Sequence, residues 1–318
     1  MTIRQLLQAR RVDQRLKLRE LQVLATVVEC GSMVKAAGQL GMSQPTVSAA
    51  IANLEAVLGV RLLDRSPRGV EPTIYATALL KRGRVMFDEL RQGLRDIEFL
   101  LDPAVGEVRV GCPEGTAAGF VPAVIDSLCR THPRVAVHVV TAQTGTQEFR
   151  ELRERNVDIM VGRLFRPIPD DDIDVEVLGS DRFFVVASTH NPLARRRKLS
   201  LADLVDEPWV LYPPDNVVGV YFADMFHRNG LEFPSKRVVT FSLDVRMHLL
   251  ATGRYLTMLG SQVLHYNAER WSLRRLPIDL GIPHMPIAVF TLKNRTISPV
   301  VRVFVEHMRS VAKSGPAA

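Results

Sequence analysis

The sequence predicts an α/β protein in which a small helical unit and one long helix precede a large region of alternating strands and helices. Two short helices joined by a tight turn are indicated between Gly31 and Gly59. A proline-free amphipathic stretch follows from Thr73 to Leu101. Beyond Gly106, short apolar runs alternate with helical segments, which is the pattern of a parallel sheet covered by helices.

The two short helices have the residue pattern of a pair that packs across a tight turn. Ala37 is small where two helices must approach closely, and Gly41 lies at the turn. Ser43 is placed to cap the second helix, with Pro45 in its first turn. The apolar face of that helix has spacings of four, three and four residues and consists of Val47, Ile51, Leu54 and Leu58. The opposite face suits base edges and phosphates and carries Gln44, Thr46, Ser48, Ala49 and Asn53.

Taken alone, the pattern also fits an ordinary helical hairpin, but the order of residues along the whole segment resembles that of a known family. It resembles the N-terminal signature of LysR-type transcriptional regulators at Gly31-Ser32, Ala36-Ala37, Leu40, Ser43-Gln44-Pro45, Val47-Ser48, Ile51, Leu54-Glu55, Leu58-Gly59, Leu62 and Arg65. The chain departs from that signature at three places: it has Met33 where the family has an aromatic residue, Leu63 where the family has Phe, and Ala49-Ala50 where the family has a polar or charged pair. The resemblance implies a winged helix-turn-helix that contacts DNA through Ser43, Gln44, Pro45, Thr46 and Ser48. Phosphate contacts are expected from Arg65 and Arg68.

Composition and charge agree with a nucleic-acid partner. The 318 residues are 47% hydrophobic, enough for two or three cores of a globular protein, and the net charge is +7. Residues 1–72 contain ten Lys and Arg against six Asp and Glu, so more than half of the positive surplus lies in less than a quarter of the chain. A polyanionic partner is therefore favoured, and double-stranded DNA is the expected one.

No segment indicates a membrane span or a secretory signal. No apolar run approaches the roughly 18 residues that a span needs, and the first seventeen residues are basic with only short apolar pieces. A cytoplasmic protein without membrane contact is therefore expected.

The cysteines and histidines do not indicate a metal site or a cofactor. Cys30, Cys112 and Cys129 form no C-x-x-C pair, so buried free thiols are expected. Cys112 precedes a loop at a helix start, where a thiolate would be favoured, and a redox-sensing role stays open there.

A two-stranded wing and one long helix are predicted after the second short helix. Apolar residues lead from Val60 to a turn with proline, glycine and two arginines before Pro72. The long helix then has an apolar seam on the coiled-coil period, and a helix of nearly thirty residues with no core of its own needs a partner. A dimer interface is expected at Leu79, Met86, Leu90 and Ile97. The alternative is a helix that lies against its own domain.

The remaining region alternates strands with helices. The predicted strands are 108–111, 135–140, 158–162, 183–187, 209–212, 238–241, 256–259 and 287–290. The predicted helices are 120–131, 146–155, 218–229, 244–252 and 299–312. About 210 residues is large for one sheet, and the charged stretch from Pro167 to Asp174, followed by Gly179-Ser180, suggests a passage between two lobes. By resemblance, residues 106–311 are similar to the family's effector domain, which has two α/β lobes joined by two crossovers as in periplasmic binding proteins.

These expectations divide the chain into five parts. They are a basic N-terminal extension (1–17), a winged helix-turn-helix (18–72), a linker helix and hinge for dimerisation (73–105), an effector-binding domain of two lobes (106–311) and a tail (312–318).

Candidate effector contacts lie in loops that follow predicted strands. Ligands of open α/β sheets bind beyond the carboxyl ends of strands, where helix N-termini supply unpaired N–H groups. Thr116, Thr144 and Ser242 lie in such loops and either contact the effector or cap a helix. Arg163 follows a strand end and faces either a carboxylate ligand or a salt-bridge partner. Two chemical classes are considered for the effector, a sugar and an aromatic acid.

No enzymatic motif is present, so no catalytic residues are expected. The sequence has no G-x-S-x-G, no P-loop and no G-x-G-x-x-G after a strand. The favoured function is a LysR-type regulator, a homodimer or homotetramer that binds DNA under effector control, with RNA polymerase as a further partner. Two alternatives remain: a constitutive architectural DNA-binding protein without a ligand, and an enzyme fused to a DNA-binding module.

Overall fold

The structure, a computed structural model, describes residues 15–66, 69–145 and 148–314. It divides into two compact units, one ending at Leu90 and one beginning at Arg91. The first unit contains α1 (Leu18–Cys30), α2 (Met33–Leu40), α3 (Gln44–Leu58), β1 (Leu63–Ser66), β2 (Gly69–Pro72) and the first part of α4 (Ile74–Leu101).

The first three helices enclose one small apolar core. Its fully buried members include Leu24 and Val27 on α1, Ala36 on α2, and Val47, Ile51 and Leu54 on α3. Each helix ends at a glycine with a left-handed backbone: Gly31 has φ 60°, Gly41 62° and Gly59 67°. An L side chain disfavours that conformation, so glycine allows the chain to turn sharply into the next element.

The wing is a two-stranded antiparallel ribbon tied to the turn between α1 and α2. β1 pairs with β2 from Leu63 opposite Pro72 to Ser66 opposite Gly69. The Val70 N–H donates to the Gly31 carbonyl at 3.0 Å. Gly69 has φ 133°, and a Cβ there would lie 2.8 Å from the Gly31 oxygen, so this close approach requires glycine.

The second unit holds two five-stranded sheets and their helices. Its strands are β3 (Val105–Cys112), β4 (Arg134–Thr141), β5 (Ile159–Arg163), β6 (Ile173–Asp181), β7 (Phe183–Ser188), β8 (Trp209–Leu211), β9 (Arg237–Val239), β10 (Leu256–Gly260), β11 (Leu273–Arg275) and β12 (Met285–Leu292). Its helices after α4 are α5 (Glu114–Ala117), α6 (Phe120–Thr131), α7 (Arg150–Arg153), α8 (Val217–Arg228), α9 (Leu243–Ala251), α10 (Ser261–Asn267) and α11 (Pro299–Ser314), with 3-10 turns at Pro192–Arg195 and Ala202–Leu204.

The two sheets define two lobes that the chain enters in turn. The first has the strand order β4-β3-β5-β12-β6, and the second has the order β11-β7-β10-β8-β9. The chain passes to the second lobe at Arg182, between β6 and β7, and returns between Arg275 and Met285. Two lobes with two crossovers are therefore confirmed. The passage was expected from Pro167 to Asp174 and then at Gly179-Ser180. The first stretch leads into β6 of the first sheet and does not cross, whereas Gly179-Ser180 lies at the end of β6, directly before the crossing at Arg182.

The sheets are mixed, although parallel sheets were predicted. β3 runs parallel to β4 and β5, and β8 runs parallel to β9 and β10. β12 is antiparallel to β5 and β6, and β7 is antiparallel to β10 and β11. The antiparallel strands β7 and β12 are those that enter a lobe directly after a crossover, without a covering helix that would set a parallel direction.

The predicted elements differ most in the first lobe. β6 has no counterpart among the predicted strands, because its exposed positions interrupt the apolar pattern. A helix was predicted over 146–155, whereas α7 covers only Arg150–Arg153 and Phe149 before it has a left-handed backbone with φ 44°. Residues 146 and 147 of that predicted helix lie outside the described residues.

The cysteines do not all follow the expectation of buried thiols. Cys112 is buried, Cys30 is half-buried and Cys129 is exposed on α6. Burial raises the pKa of the Cys112 thiol to about 12. The thiolate expected at this helix start is therefore disfavoured, because desolvation outweighs the effect of the four-residue helix α5.

Within the described ranges, no helix combines the length and apolar character that crossing a bilayer requires. In the same part of the chain, no three or more His, Cys, Asp or Glu side chains are grouped to hold a metal ion.

Candidate functional site

The N-terminal end of α3 presents small polar groups to solvent. Gln44, Pro45 and Thr46 are exposed, and Ser48 is half-buried one turn further on. Ser43 is the N-cap: its Oγ accepts the Thr46 N–H at 3.3 Å and lies 2.7 Å from the Thr46 Oγ1. Because α3 contains no Lys or Arg, any phosphate contact made from this helix must use its N–H groups or hydroxyls.

Asn53, which the sequence placed on the polar face of α3, has a structural role. Its Nδ2 donates to the Glu20 Oε1 on α1 at 2.6 Å, and Glu20 is buried. This bond joins α3 to α1. Asn53 is therefore engaged within the protein, and the exposed end of α3 is the part left for a partner.

The wing supplies the basic groups near the expected interface. Arg65 is exposed on β1, and Arg68 lies outside the described residues. Glu55, at the end of α3, orients the wing: its Oε1 accepts the backbone N–H groups of Leu62 at 2.7 Å and Leu63 at 3.3 Å. α3 and the wing are thus held together by a carboxylate that the sequence had marked only as part of a signature.

The apolar seam of α4 faces solvent over most of its length. Met86, Leu90, Leu94 and Ile97 have between 52% and 55% of their surface exposed. Leu79 differs, because it is half-buried against the core of the first unit. A row of half-exposed large apolar side chains on a long helix is typical of a surface that another chain covers.

Two of the expected effector residues are buried in the first lobe. Thr116 lies within α5, and Thr144 lies in the loop after β4; they have exposures of 5% and 3%. Thr144 packs directly on Gly162, where an added Cβ would overlap the threonine hydroxyl. Both threonines therefore fill space inside the lobe, with their hydroxyls near the ends of the strands as the sequence indicated.

The N-terminus of α9 already holds a carboxylate from the opposite lobe. Ser242 is the N-cap and accepts the Val245 N–H at 3.3 Å. Glu114, from the first lobe, accepts the Leu243 N–H through Oε2. A carboxylate at a helix N-terminus is stabilised by unpaired N–H groups and by the helix dipole. Glu114 thus occupies the position that an anionic ligand would favour at this helix.

Arg163 forms a buried ion pair close to the crossover. Its Nε donates to the Asp181 Oδ2 at 2.7 Å, and its Nη2 donates to the same oxygen. The other oxygen of Asp181 accepts the Ser261 hydroxyl at 2.5 Å and the Arg182 N–H at 2.9 Å. Of the two roles expected for Arg163, the structure contains the ion pair, although it is buried rather than on the surface.

Arg246 and Tyr212 are a pair that the sequence did not single out. The Arg246 Cζ lies 4.1 Å from the centroid of the Tyr212 ring, and Arg246 is 1% exposed. Burial would raise the pKa of Tyr212, but the charge of Arg246 and its hydrogen bond lower that pKa below its ordinary value. One signal was available: Arg246 interrupts the buried stripe of α9 formed by Leu243, Met247 and Leu250.

The family models for known proteins match both halves of the chain. The model described as "Bacterial regulatory helix-turn-helix protein, lysR family" matches residues 18–77. The model described as "LysR substrate binding domain" matches residues 102–313. The chain belongs to the LysR family. It is a LysR-family transcriptional regulator with a helix-turn-helix and a two-lobed domain of the substrate-binding type.

Curated relatives of this LysR-family regulator are similar along nearly the whole chain. The HTH-type transcriptional regulator GbpR of Azospirillum brasilense is 28% identical, over 94% of this chain and 87% of that protein. The transcriptional dual regulator GltC of Bacillus subtilis (strain 168) is 25% identical, over 92% of this chain and 96% of that protein. Both are named as regulators of transcription rather than as enzymes.

Solved structures show the same fold. A cysteine variant of full-length OxyR from Pseudomonas aeruginosa matches with a TM-score of 0.67 at 20% identity, over 95% of this chain and 98% of that chain. Full-length CbnR complexed with its target DNA matches with a TM-score of 0.68 at 22% identity, over 93% of this chain and 100% of that chain. The α/β class and the order of domains in this LysR-family regulator are thus those of known full-length structures.

Proposed function

We propose that this regulator binds a specific duplex DNA sequence as a homo-oligomer and that a small molecule held between the two lobes of its second unit controls that binding. The end of α3 would read bases through Gln44 and Ser48, and Arg65 on the wing would contact phosphate. RNA polymerase is the further partner expected of a regulator that activates transcription, and the cytoplasm is the compartment in which it would meet DNA.

The DNA part is supported by what α3 exposes. Gln44, Pro45 and Thr46 protrude at the start of a rigid helix, and their neighbours on the inner face are fully buried. A helix-turn-helix places the N-terminal residues of its second helix against base edges in the major groove. Glutamine is one of the side chains that pairs with adenine there. The absence of cations from α3 leaves most of the electrostatic attraction to the wing and to other basic residues.

The effector part is carried by one observation, the way in which the lobes are joined. Apart from two chain crossings, contacts between the lobes include the bond from the Leu243 N–H to Glu114 and the bond from the Asn267 Nδ2 to the Ala118 carbonyl at 2.7 Å. Such contacts can open and re-form without unfolding either lobe. A ligand that binds one arrangement more tightly shifts the population toward it.

The oligomer part is supported by the exposed seam of α4. Leu90 and Leu94 are each more than half exposed, although both lie on the apolar stripe of the helix. A second copy of the same helix would cover them and would place two copies of α3 on one DNA site, as two-fold operators require.

The test combines DNA selection with small-molecule titration on the full-length protein. A pool of random duplexes yields the bound sequence, and fluorescence anisotropy then gives its Kd with and without each of a set of sugars, sugar acids and aromatic acids. A preferred sequence whose Kd changes with a compound that also raises the melting temperature supports the proposal. A preferred sequence whose Kd no binding compound changes supports the constitutive alternative instead.

A further inference from the structure

We propose that Arg246 and Tyr212 form the anion-binding end of the site between the lobes and that the effector is an aromatic carboxylate. This inference rests on the proposed function, because it names the class of molecule that would occupy the cleft. It chooses between the sugar and the aromatic acid that the sequence left open.

The first observation is a buried cation without a counter-charge. Arg246 is 1% exposed, its Nη2 lies 3.4 Å from the Thr240 carbonyl, and the guanidinium also bonds to the Tyr212 hydroxyl. Within the described residues, Nε and Nη1 have no hydrogen-bond partner. A buried charge left unpaired is strongly unfavourable, so folded proteins usually supply an opposite charge or a ligand. Arg246 therefore has hydrogen-bonding capacity that an incoming anion would satisfy.

The second observation is the orientation of the guanidinium. It stacks over the Tyr212 ring at 4.1 Å, so the ring covers one of its faces. Stacking uses the face and leaves the N–H groups, which lie in the plane, for an acceptor. An arginine fixed in this way loses little conformational entropy when it binds a carboxylate, and charge-assisted bonds from arginine to carboxylates are among the stronger hydrogen bonds in proteins.

The charges around Tyr212 come from both lobes. Arg246 belongs to the second lobe, whereas Arg163 and Glu114 belong to the first, and all three act on the ionisation of Tyr212. Arg163 is neutralised by Asp181. Glu114 is bound to the start of α9, one turn before Arg246. Burial and Glu114 raise the pKa of Tyr212, whereas the charge of Arg246, its hydrogen bond and the charge of Arg163 lower that pKa below its ordinary value. This field favours a negatively charged group beside the Tyr212 hydroxyl.

The surroundings of the pair are aromatic. The Tyr212 ring lies 6.0 Å from the Phe222 ring and 6.0 Å from the Phe241 ring, which is 40% exposed. On the far side of Phe222, the Phe183 ring lies under the Arg163 guanidinium at 4.7 Å. A flat apolar body packs well on such rings, whereas a sugar needs many hydrogen-bonding groups. Phe222 and Phe183 are buried in the core of the second lobe, so Tyr212 and Phe241 are the rings that a planar carboxylate could contact beside Arg246.

Because the Arg246 nitrogens are closed to solvent, the anion reaches them only when the lobes separate. The bond between Glu114 and the Leu243 N–H would then have to open, because it joins the lobes next to this site. Binding at Arg246 would in this way be coupled to the arrangement of the lobes.

The experiment measures thermal unfolding and calorimetric binding of the full-length protein with three probes. Benzoate carries the ring and the charge, benzamide carries the ring alone, and gluconate carries the charge on a sugar chain. Benzoate is expected to raise the melting temperature by several degrees at saturation, with much smaller effects from the other two. Arg246→Met is expected to lower benzoate affinity at least tenfold.

Two comparisons separate recognition from a structural role. Arg254→Met is the matched control, because Arg254 also stacks on a tyrosine of the same lobe, Tyr255, at 5.8 Å but is exposed. It should keep the full benzoate response. Without benzoate, Arg246→Met should melt at or above the temperature of the parent, since an unpaired buried charge is replaced by an apolar side chain of similar length.

Several results would overturn the inference. Equal affinity for benzamide would show that charge is not recognised, and equal affinity for gluconate would show that the ring is not. An unchanged benzoate response in Arg246→Met, a lower melting temperature of that variant without ligand, or no benzoate binding by the parent would each contradict it. Selective DNA binding that responds to another compound would still leave the proposed function intact.

Discussion

The Arg95 guanidinium on the long helix α4 lies 3.4 Å from the buried carboxylate of Asp158, measured from Nη2 to Oδ1. Arg295 donates to the same oxygen at 2.8 Å, and the Arg109 N–H donates to the other oxygen at 2.9 Å. Asp158 thus joins the end of α4 to the first lobe and to the segment that precedes α11.

Removal of the Asp158 charge should therefore destabilise the second unit. Asp158→Asn removes the carboxylate charge that pairs with the buried guanidinium of Arg295, and breaking a buried pair in this way costs about 3–5 kcal/mol. Chemical denaturation followed by circular dichroism should show a large loss of stability in the transition of this unit. Glu176→Gln is the control in the same lobe, because the ion pair of Glu176 with Arg309 is exposed and should contribute at most about 1 kcal/mol. Equal effects of the two variants would contradict the central role of Asp158.

Substitutions in α3 and in the wing should change DNA binding in different ways. Gln44→Ala and Ser48→Ala remove base contacts, so the affinity for the selected site should fall toward that for a scrambled duplex. Arg65→Ala removes a phosphate contact, so it should weaken binding to every sequence and reduce the slope of log K against log salt by roughly one. Anisotropy titrations at several salt concentrations measure both effects.

The control for the wing is an arginine in an exposed basic loop of the second lobe. Arg197→Ala removes the same charge from the protein, but Arg197 lies far from the helix-turn-helix in sequence and is exposed. Its salt slope should equal that of the parent. If Gln44→Ala discriminates between the two duplexes as well as the parent does, α3 is not the element that reads bases.

The cysteines should react with alkylating reagents according to burial. N-ethylmaleimide should modify the exposed Cys129 first and leave Cys112 unmodified in the folded protein, as peptide mass spectrometry would show. Because the folded pKa of Cys112 is raised to about 12 from an ordinary value of 9.0, its contribution to stability is fully present below pH 9 and decreases as the pH rises toward 12. Rapid modification of Cys112 at pH 7 would reopen the redox-sensing role.

Much of the fold could be predicted because its signals are local. Gly31, Gly41 and Ser43 mark helix ends by backbone geometry and capping, and the apolar periods of α3 and α4 are strong. β6 was missed because it is an exposed edge strand whose alternation is weak. The antiparallel directions of β7 and β12 depend on the crossovers, and no pattern within either strand encodes them.

The candidate site could be predicted only in outline. The loops that contain Thr116, Thr144 and Ser242 were correctly placed after strands, because strand ends are visible in the sequence. The partners inside the site are contacts between residues far apart in the chain, such as Glu114 with Leu243 and Arg163 with Asp181. Only folding brings these residues together. Arg246 could have been noticed in the sequence, because a cation on the apolar stripe of a helix is unusual.

The exposed seam of α4 should be an interface between two chains. Leu90 is 53% exposed in the single chain, so Leu90→Asp should leave the folded monomer largely unaffected. In an oligomer, the same substitution would place an uncompensated carboxylate in an apolar contact and weaken the free energy of association by several kcal/mol. In a symmetric dimer both chains carry the substitution, so this cost is doubled. Light scattering should therefore show a lower mass for the variant at micromolar concentrations, and circular dichroism should show unchanged helix content. Arg84→Asp is the matched control, because Arg84 is exposed on the same helix outside the seam and its substitution should keep the mass of the parent. If Leu90→Asp also keeps the parent mass, α4 is not the element that joins the chains, and the seam must be covered by some other surface.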